Sequence, residues 1–221
     1  MSIEIQGPDA ARAEESALAL NRGILTTLLV TFGLSIIIQN GLLEIYSADS
    51  RRLRGGGIET GSFSLVPGID IGYLPLLTFL MAVAVVALLQ FTFYHTELGR
   101  SFRAVSDDPE TSQLMGLDNS KIYGLAMALC LGVVAIAGVL LATRSNFDPF
   151  MGPSRLIFGF EAVIIGGLGN LWGTLAGGII LGVAQAIGAQ VDPGWQLLAG
   201  HVAFLVILAL RPQGLFPRVA A

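Results

Sequence analysis

The sequence predicts an all-α fold, a multi-pass transmembrane helical bundle with one broken, re-entrant helix. Three observations carry that expectation. Only 13% of the 221 residues are charged and 53% are apolar, whereas an ordinary soluble domain carries about 25% charged residues. The apolar residues stand in long uncharged blocks and do not alternate at helix or strand period. One block, 156–189, is interrupted at its middle by Gly166, Gly167, Gly169 and Asn170.

A run of about 20 uncharged residues spans a bilayer core of about 30 Å at 1.5 Å per residue. Segments 24–43, 71–94 and 122–143 meet that rule without a single charge. Segment 193–210 is polar only at Gln196 and His201, and Trp195 stands at one end, where an aromatic anchor is expected. Residues 156–189 carry one charge, Glu161. As one helix these residues would measure about 51 Å, too long for one span and short for two. The expected solution is a half-helix over 156–165, a turn near mid-membrane and a helix over 171–189. Irregular backbone at that depth survives only where it is buried in protein or lines a watery cavity, so the turn points to a translocation path. Gly173, Gly177, Gly178 and Gly182 continue the small-residue spacing along the second helix and suit close helix packing. Gln39 and Asn40 are expected to hydrogen-bond across helices.

These segments form a single membrane domain over 1–221, preceded by a polar tail over 1–22. That tail carries Glu4, Asp9, Glu14 and Glu15 and has no apolar core of signal-peptide type. With alternating spans, Arg12, Arg22, Arg100, Arg103, Lys121, Arg211 and Arg218 fall on one side. Arg51, Arg52, Arg54, Arg144 and Arg155 fall on the other, so the bias places both termini inside. The loop over 47–70, with Gly55, Gly56 and Gly57, is then an external flexible loop.

Segment 95–120 is the most informative polar stretch. Asp108 suits a helix N-cap, Pro109 the first helical position, and Glu110 the positive end of the helix dipole. Gly116 suits the stop. The pattern predicts a two-turn helix over 109–115 outside the membrane, with Leu114, Met115 and Leu117 as buried contacts. Asp118 or Asn119 then caps the next span. A two-turn helix is not stable alone in water and needs a surface to rest on.

Several function classes are excluded. A net charge of −4, with Lys121 the one lysine among twelve basic residues, leaves no cationic stripe, and no nucleic-acid partner is expected. The single cysteine, Cys130, lies in an apolar block and allows no intrachain disulfide. H-E-x-x-H, G-x-S-x-G and G-x-x-x-x-G-K-[ST] are missing from the sequence. No catalytic residue, metal site or cofactor is therefore expected in this chain, and any ATP hydrolysis must come from another. Glu161 is the only acid inside an apolar block, a functional candidate by default because burying its charge is costly. It either lines the path or pairs with Arg155 near the external surface. His201 reads as a satisfied histidine packed in the bundle.

Three stretches carry a resemblance to a known family: LGRSFRAVSDDPETSQLMGLD over 98–118, GFEAVIIGGLGNLWGTLAGGIILGVAQA over 159–186, and LRPQGLF over 210–216. In this order and at this spacing they resemble the permease subunits of branched-chain amino acid ABC importers, the leucine/isoleucine/valine type. The resemblance covers about 22–218. It implies additional membrane helices and a glycine- and asparagine-containing stretch ahead of the part matched here, so the chain lacks the family's first membrane helices. It also implies that 103–118 is similar to the cytoplasmic coupling loop that seats on the ATP-binding subunit. Arg103, Asp107, Asp108, Pro109, Glu110, Leu114, Met115 and Gly116 are then the ATPase-coupling residues. Glu161, Gly166, Gly167, Gly169 and Asn170 are the path candidates. The implied partners are ABC ATP-binding subunits, a second permease subunit, a periplasmic or lipoprotein substrate-binding protein and the lipid of the cell inner membrane. The implied cargo is a branched-chain amino acid or a related small polar solute such as an amide or urea. Two other readings stay open on the residues alone, an ion-coupled secondary transporter and a non-transporting truncated fragment.

Overall fold

A computed structural model describes residues 8–53, 56, 61–66 and 69–216. In chain order they form α1 (Pro8–Tyr46), β1 (Ser62–Val66), β2 (Ile69–Gly72), α2 (Tyr73–His95), α3 (Glu97–Asp107), α4 (Pro109–Leu114), α5 (Asn119–Arg144), α6 (Gly152–Gly166), α7 (Leu171–Val191) and α8 (Trp195–Leu210). Among the described residues, four stretches are helical, long and apolar enough to cross a membrane: Leu25–Tyr46, Tyr73–His95, Asn119–Arg144 and Leu171–Val191, with α8 a shorter apolar helix. Little of their surface is buried inside the chain, the state expected of apolar faces that meet lipid or neighbouring membrane helices.

The backbone forms two compact units, Met1–Ser50 with Asp148–Phe150, and Arg51–Phe147 with Met151–Ala221. The first is essentially α1. Its 39 residues measure about 58 Å at 1.5 Å per residue, roughly twice a bilayer core. Residues 8–22 of the expected polar tail are helix continuous with the first span, while residues 1–7 lie outside the described set. Gln39 donates to Ser35 Oγ at 3.3 Å and Asn40 to the Ile36 carbonyl at 2.8 Å. Among the described residues, both amides therefore bond within their own helix and not across helices.

In the second unit, α6, α7 and α8 pack on one another, and α2, α3, α4 and α5 adjoin them through α2 against α7. The expected half-helix is longer than 156–165, because Pro153 at the first turn extends it to Gly152. Its 15 residues reach about 22 Å. The turn that follows is not midway along the bundle. It lies beside the end of α2, the start of α5 and the segment after α8, at the α3–α4 end. Leu215 N–H donates to the Ile165 carbonyl at 2.8 Å and Phe216 N–H to the Gly166 carbonyl at 3.2 Å. The residues after α8 thereby satisfy carbonyls that a helix C-terminus leaves open, which gives the LRPQGLF stretch its structural reason.

The expected loop over 47–70 contains β1 and the start of β2. β1 and β2 pair antiparallel from Ser62↔Gly72 to Val66↔Ile69. Arg51 and Phe147 exchange backbone hydrogen bonds at 2.9 and 2.8 Å, and Leu53 N–H donates to the Ala142 carbonyl at 3.0 Å. These bonds tie the segment to the end of α5. Gly55 and Gly57 lie outside the described residues.

Candidate functional site

The polar segment between α2 and α5 contains two helices, not one. Thr96 opens α3: its hydroxyl donates to the Thr92 carbonyl at 2.6 Å and accepts from Gly99 N–H at 3.3 Å. Val105 of α3 is fully buried, a burial worth about 1.5–3 kcal/mol for a side chain of that size. Asp108 opens α4, accepting from the Glu110 and Thr111 N–H groups at 3.0 and 3.1 Å. Pro109 takes the first helical position, where its missing N–H costs nothing. Ser112 faces inward and donates to the Asp108 carbonyl at 2.7 Å. Gly116 ends the turn at φ +88°, a conformation that glycine adopts freely.

Leu114 and Met115 are not buried contacts. They stand 89% and 80% exposed, because the inward face of α4 is taken by the small Ser112, while Leu117 is half-buried. Asp107 and Glu110 are exposed as well. Asp118 caps α5 and pairs with Lys121 at 3.0 Å. Asn119, buried, instead donates to the Pro109 carbonyl at 2.8 Å and pins α4 to the start of α5.

Hydrogen bonds from the Thr111 hydroxyl and from the Thr111 and Glu110 N–H groups hold the Asp108 carboxyl below the usual carboxylate range. A depressed folded value means that the cap is fully formed above the unfolded carboxylate value, about 3.9, and is lost as pH falls through the lower folded value. The amide resonances of Glu110 and Thr111 are therefore expected to stay fixed from pH 8 to about 5 and to move toward unstructured positions only below about 4. Movement beginning near pH 6 would show that Asp108 does not hold the helix.

Arg103, the last basic residue of α3, donates to the Phe93 carbonyl at the end of α2 and lies over the Tyr94 ring at 5.5 Å. Gly99 presses on the same turn: a Cβ there would stand 2.2 Å from the Phe93 carbonyl oxygen. Together they lock α3 against the end of α2. Arg103, Gly169 and Asn170 also border one cavity of about 630 Å³ between α2, α3, α5, α6 and α7, whose walls are otherwise mostly aromatic and aliphatic.

The broken segment is built on close backbone approach. A Cβ at Gly166 would lie 2.2 Å from the Gly173 carbonyl carbon, and one at Gly177 would lie 2.2 Å from the Ala162 carbonyl oxygen. A Cβ at Gly178 or Gly182 would meet nothing within 4 Å, so among the described residues Gly173 and Gly177 are the two of the four expected packing glycines that make close contacts. Gly167 and Gly169 take φ +96° and +84°. Asn170 caps α7, accepting from Gly173 N–H at 3.0 Å, while its amide donates to the Phe216 carbonyl at 3.2 Å.

Glu161 stands apart from that turn. It is buried and pairs with Nδ1 of His201 on α8, not with Arg155. The His201 ring stacks on Phe158 with centroids 5.4 Å apart. Gly99, Gly188 and Gly214 are contact residues that the sequence pattern does not single out, and Asn119, expected only as a possible cap, ties α4 to α5 instead. A Cβ at Gly188 would lie 2.5 Å from Ala199 Cβ, and one at Gly214 would lie 2.6 Å from Gly167 Cα.

A family model described as the permease component of the branched-chain amino acid transport system matches residues 16–210. The chain belongs to this family. The high-affinity branched-chain amino acid transport system permease protein BraD of Pseudomonas aeruginosa is 31% identical over 201 residues, which cover 88% of this chain and 64% of BraD. The corresponding LivH permease of Escherichia coli K12 is 27% identical over 140 residues, 62% of this chain and 46% of LivH. The fructose import permease protein FrcC of Rhizobium meliloti is 33% identical over 153 residues, 63% of this chain and 41% of FrcC. The chain thus spans about two fifths to two thirds of the length of these relatives. No solved structure matches it. Family membership and the apolar helices together make it a membrane protein.

Proposed function

We propose that the chain is a transmembrane permease subunit of an ATP-driven importer in the inner membrane, carrying branched-chain amino acids or a related small polar solute. In this reading both termini are cytoplasmic. A second permease subunit completes the path, a substrate-binding protein delivers the solute, and separate subunits hydrolyse ATP. The observation that carries the reading is the construction of α4. Its backbone is satisfied at both ends and its inner face is fixed by Ser112 and Asn119, yet it presents Leu114 and Met115 to the exterior. An apolar pair held out on a fixed polar segment is what a helix docking into a groove of another protein offers. Motion imposed on α4 would reach α5 through Asn119 and α2 through α3.

Replacing Leu114 and Met115 together by Asp is expected to lower co-purification of the ATP-binding subunits at least tenfold while membrane insertion and yield are unchanged. Tenfold corresponds to about 1.4 kcal/mol, less than the burial of two such side chains is worth. Undiminished co-purification with the double variant would refute α4 as the docking element. The two relatives named for branched-chain amino acids, together with one named for fructose import, support import as the shared activity and a branched-chain amino acid as the first solute to test.

A further inference from the structure

Glu161 is the tenth residue of α6 and His201 the seventh of α8, so the pair they form lies well inside both helices. The Glu161 side chain is 6% exposed and its Oε2 is buried without a partner among the described residues, while Oε1 meets His201 Nδ1. The His201 side chain is 43% exposed, so the ring stands between a buried carboxyl and the outside of the bundle. Phe158 stacks on the ring at an interplanar angle of 5° and fixes its plane. α7, which packs on both helices, carries no titratable residue from Leu171 to Val191. Arg155, on α6, is the nearest other charge in sequence.

The chemistry of the outward edge follows from the geometry. Nδ1 is engaged by Glu161, so Nε2 is the ring nitrogen left for a second partner. A histidine ring can donate from both nitrogens, and so can bridge the Glu161 carboxylate and a second anionic oxygen. The pair therefore offers Nε2 at the α6–α8 face, held in direction by Glu161 and Phe158 and surrounded by apolar helix. A polar donor of that kind does not face lipid without cost, and it is a functional position by default.

We propose that His201 Nε2–H binds the carboxylate of an α-amino acid in the translocation path, with Glu161 as the positioning residue and Phe158 beside the solute's apolar side chain. The proposal rests on the importer reading and deepens it, since it names the solute group that this subunit contacts. An anionic oxygen attached to an alkyl chain matches both features of the face, the oriented N–H and the apolar surround. It also shifts the path-lining role from Glu161, which is enclosed, to the histidine in front of it.

The chain has two histidines, His95 and His201, which makes the test direct. The permease, labelled with ¹⁵N-histidine, is assembled with unlabelled partner subunits, and the ring nitrogen resonances are followed as leucine or leucinol is added. Leucine is expected to move the His201 Nε2 resonance and leave His95 in place, and leucinol, which has no carboxylate, to move neither. Glu161→Gln keeps a hydrogen-bond partner for Nδ1 but removes the carboxylate behind the ring, and the KM for leucine uptake is expected to rise about tenfold or more. His201→Leu is expected to raise KM at least as far, while His201→Gln, which retains a donor, raises it less. If the complex imports leucine and the His201 resonances ignore it, or if KM is unchanged in Glu161→Gln and His201→Leu, the assignment is overturned and the pair is a helix clamp. A complex that imports urea but not leucine overturns the carboxylate assignment alone. A complex that imports no small solute overturns the importer reading itself.

Discussion

Gly166→Ala is expected to prevent the α6–α7 hairpin from closing, while Gly178→Ala and Gly182→Ala on the same helical pair leave it intact. A methyl group at Gly166 would sit 2.2 Å from the Gly173 carbonyl carbon, 2.3 Å from its oxygen and 2.4 Å from the Thr174 nitrogen. Every one of those atoms is backbone, so no side chain can rotate away. Overpacking a tight contact costs about 1–3 kcal/mol when side chains can adjust, and a clash with backbone alone exceeds that range. The loss also spreads. The Ile165 and Gly166 carbonyls accept from Leu215 and Phe216, so displacing the end of α6 leaves four backbone groups without partners. The measurement is the melting temperature and folded yield of the detergent-solubilised chain. Gly166→Ala and Gly177→Ala are expected to lose most of the folded material, and the two open-face variants to lie within a degree or two of the parent. Equal effects at all four sites would mean that the glycines act through helix propensity alone, at about 1 kcal/mol each in favour of alanine.

Much of this architecture was legible from residue type because a membrane helix announces itself by length and lack of charge. The spans over 71–94, 122–143 and 193–210 fall on α2, α5 and α8 with small shifts at the ends. The break at Gly166–Asn170 was equally legible, since glycine and asparagine mark a turn in an otherwise apolar run. Its depth was not. Depth depends on where neighbouring helices end, and Leu215 and Phe216 reach the turn from about fifty residues away in sequence. α3 was missed although its signals were present: Thr96 as cap, Glu97 in the first turn, and Phe102 and Val105 three apart on one face. The hairpin β1–β2 was missed for a similar reason. SFSLV and IDIG alternate on either side of Pro67-Gly68, a turn dipeptide, but the three preceding glycines drew attention to flexibility. Pairing of Glu161 with His201 could not be read from either residue, because forty positions separate them and Arg155 offered a nearer partner.

Gly99→Ala is expected to separate α3 from α2 and so to cut the path by which a push on α4 reaches the bundle. The three nearest atoms to a Cβ at Gly99 are the Phe93 carbonyl oxygen at 2.2 Å, its carbon at 2.5 Å and the Thr92 carbonyl oxygen at 2.5 Å. Again all are backbone, but here they belong to the last turn of α2, whose carbonyls have no helical successor. Arg103 supplies the Phe93 carbonyl with a charged donor and rests on Tyr94. Moving α3 outward removes both contacts at once. α2 itself stays in place, because its span carries its own backbone hydrogen bonds and needs nothing from α3 to insert. The variant should therefore reach the membrane at normal yield and fail in transmission. Spin labels at Val86 on α2 and Ser106 on α3 give the test: a narrow distance distribution in the parent and a broad one in Gly99→Ala. Arg103→Ala is expected to broaden it less, since it removes one hydrogen bond to a charged group, worth about 1.5–3 kcal/mol, and leaves the Gly99 contact in place. Solute uptake by the assembled complex should fall in the same order, at least tenfold for Gly99→Ala, while ATP hydrolysis by the partner subunits continues. If the distributions of parent and Gly99→Ala coincide, α3 is carried by Val105 and the core alone, and the junction with α2 has no part in coupling.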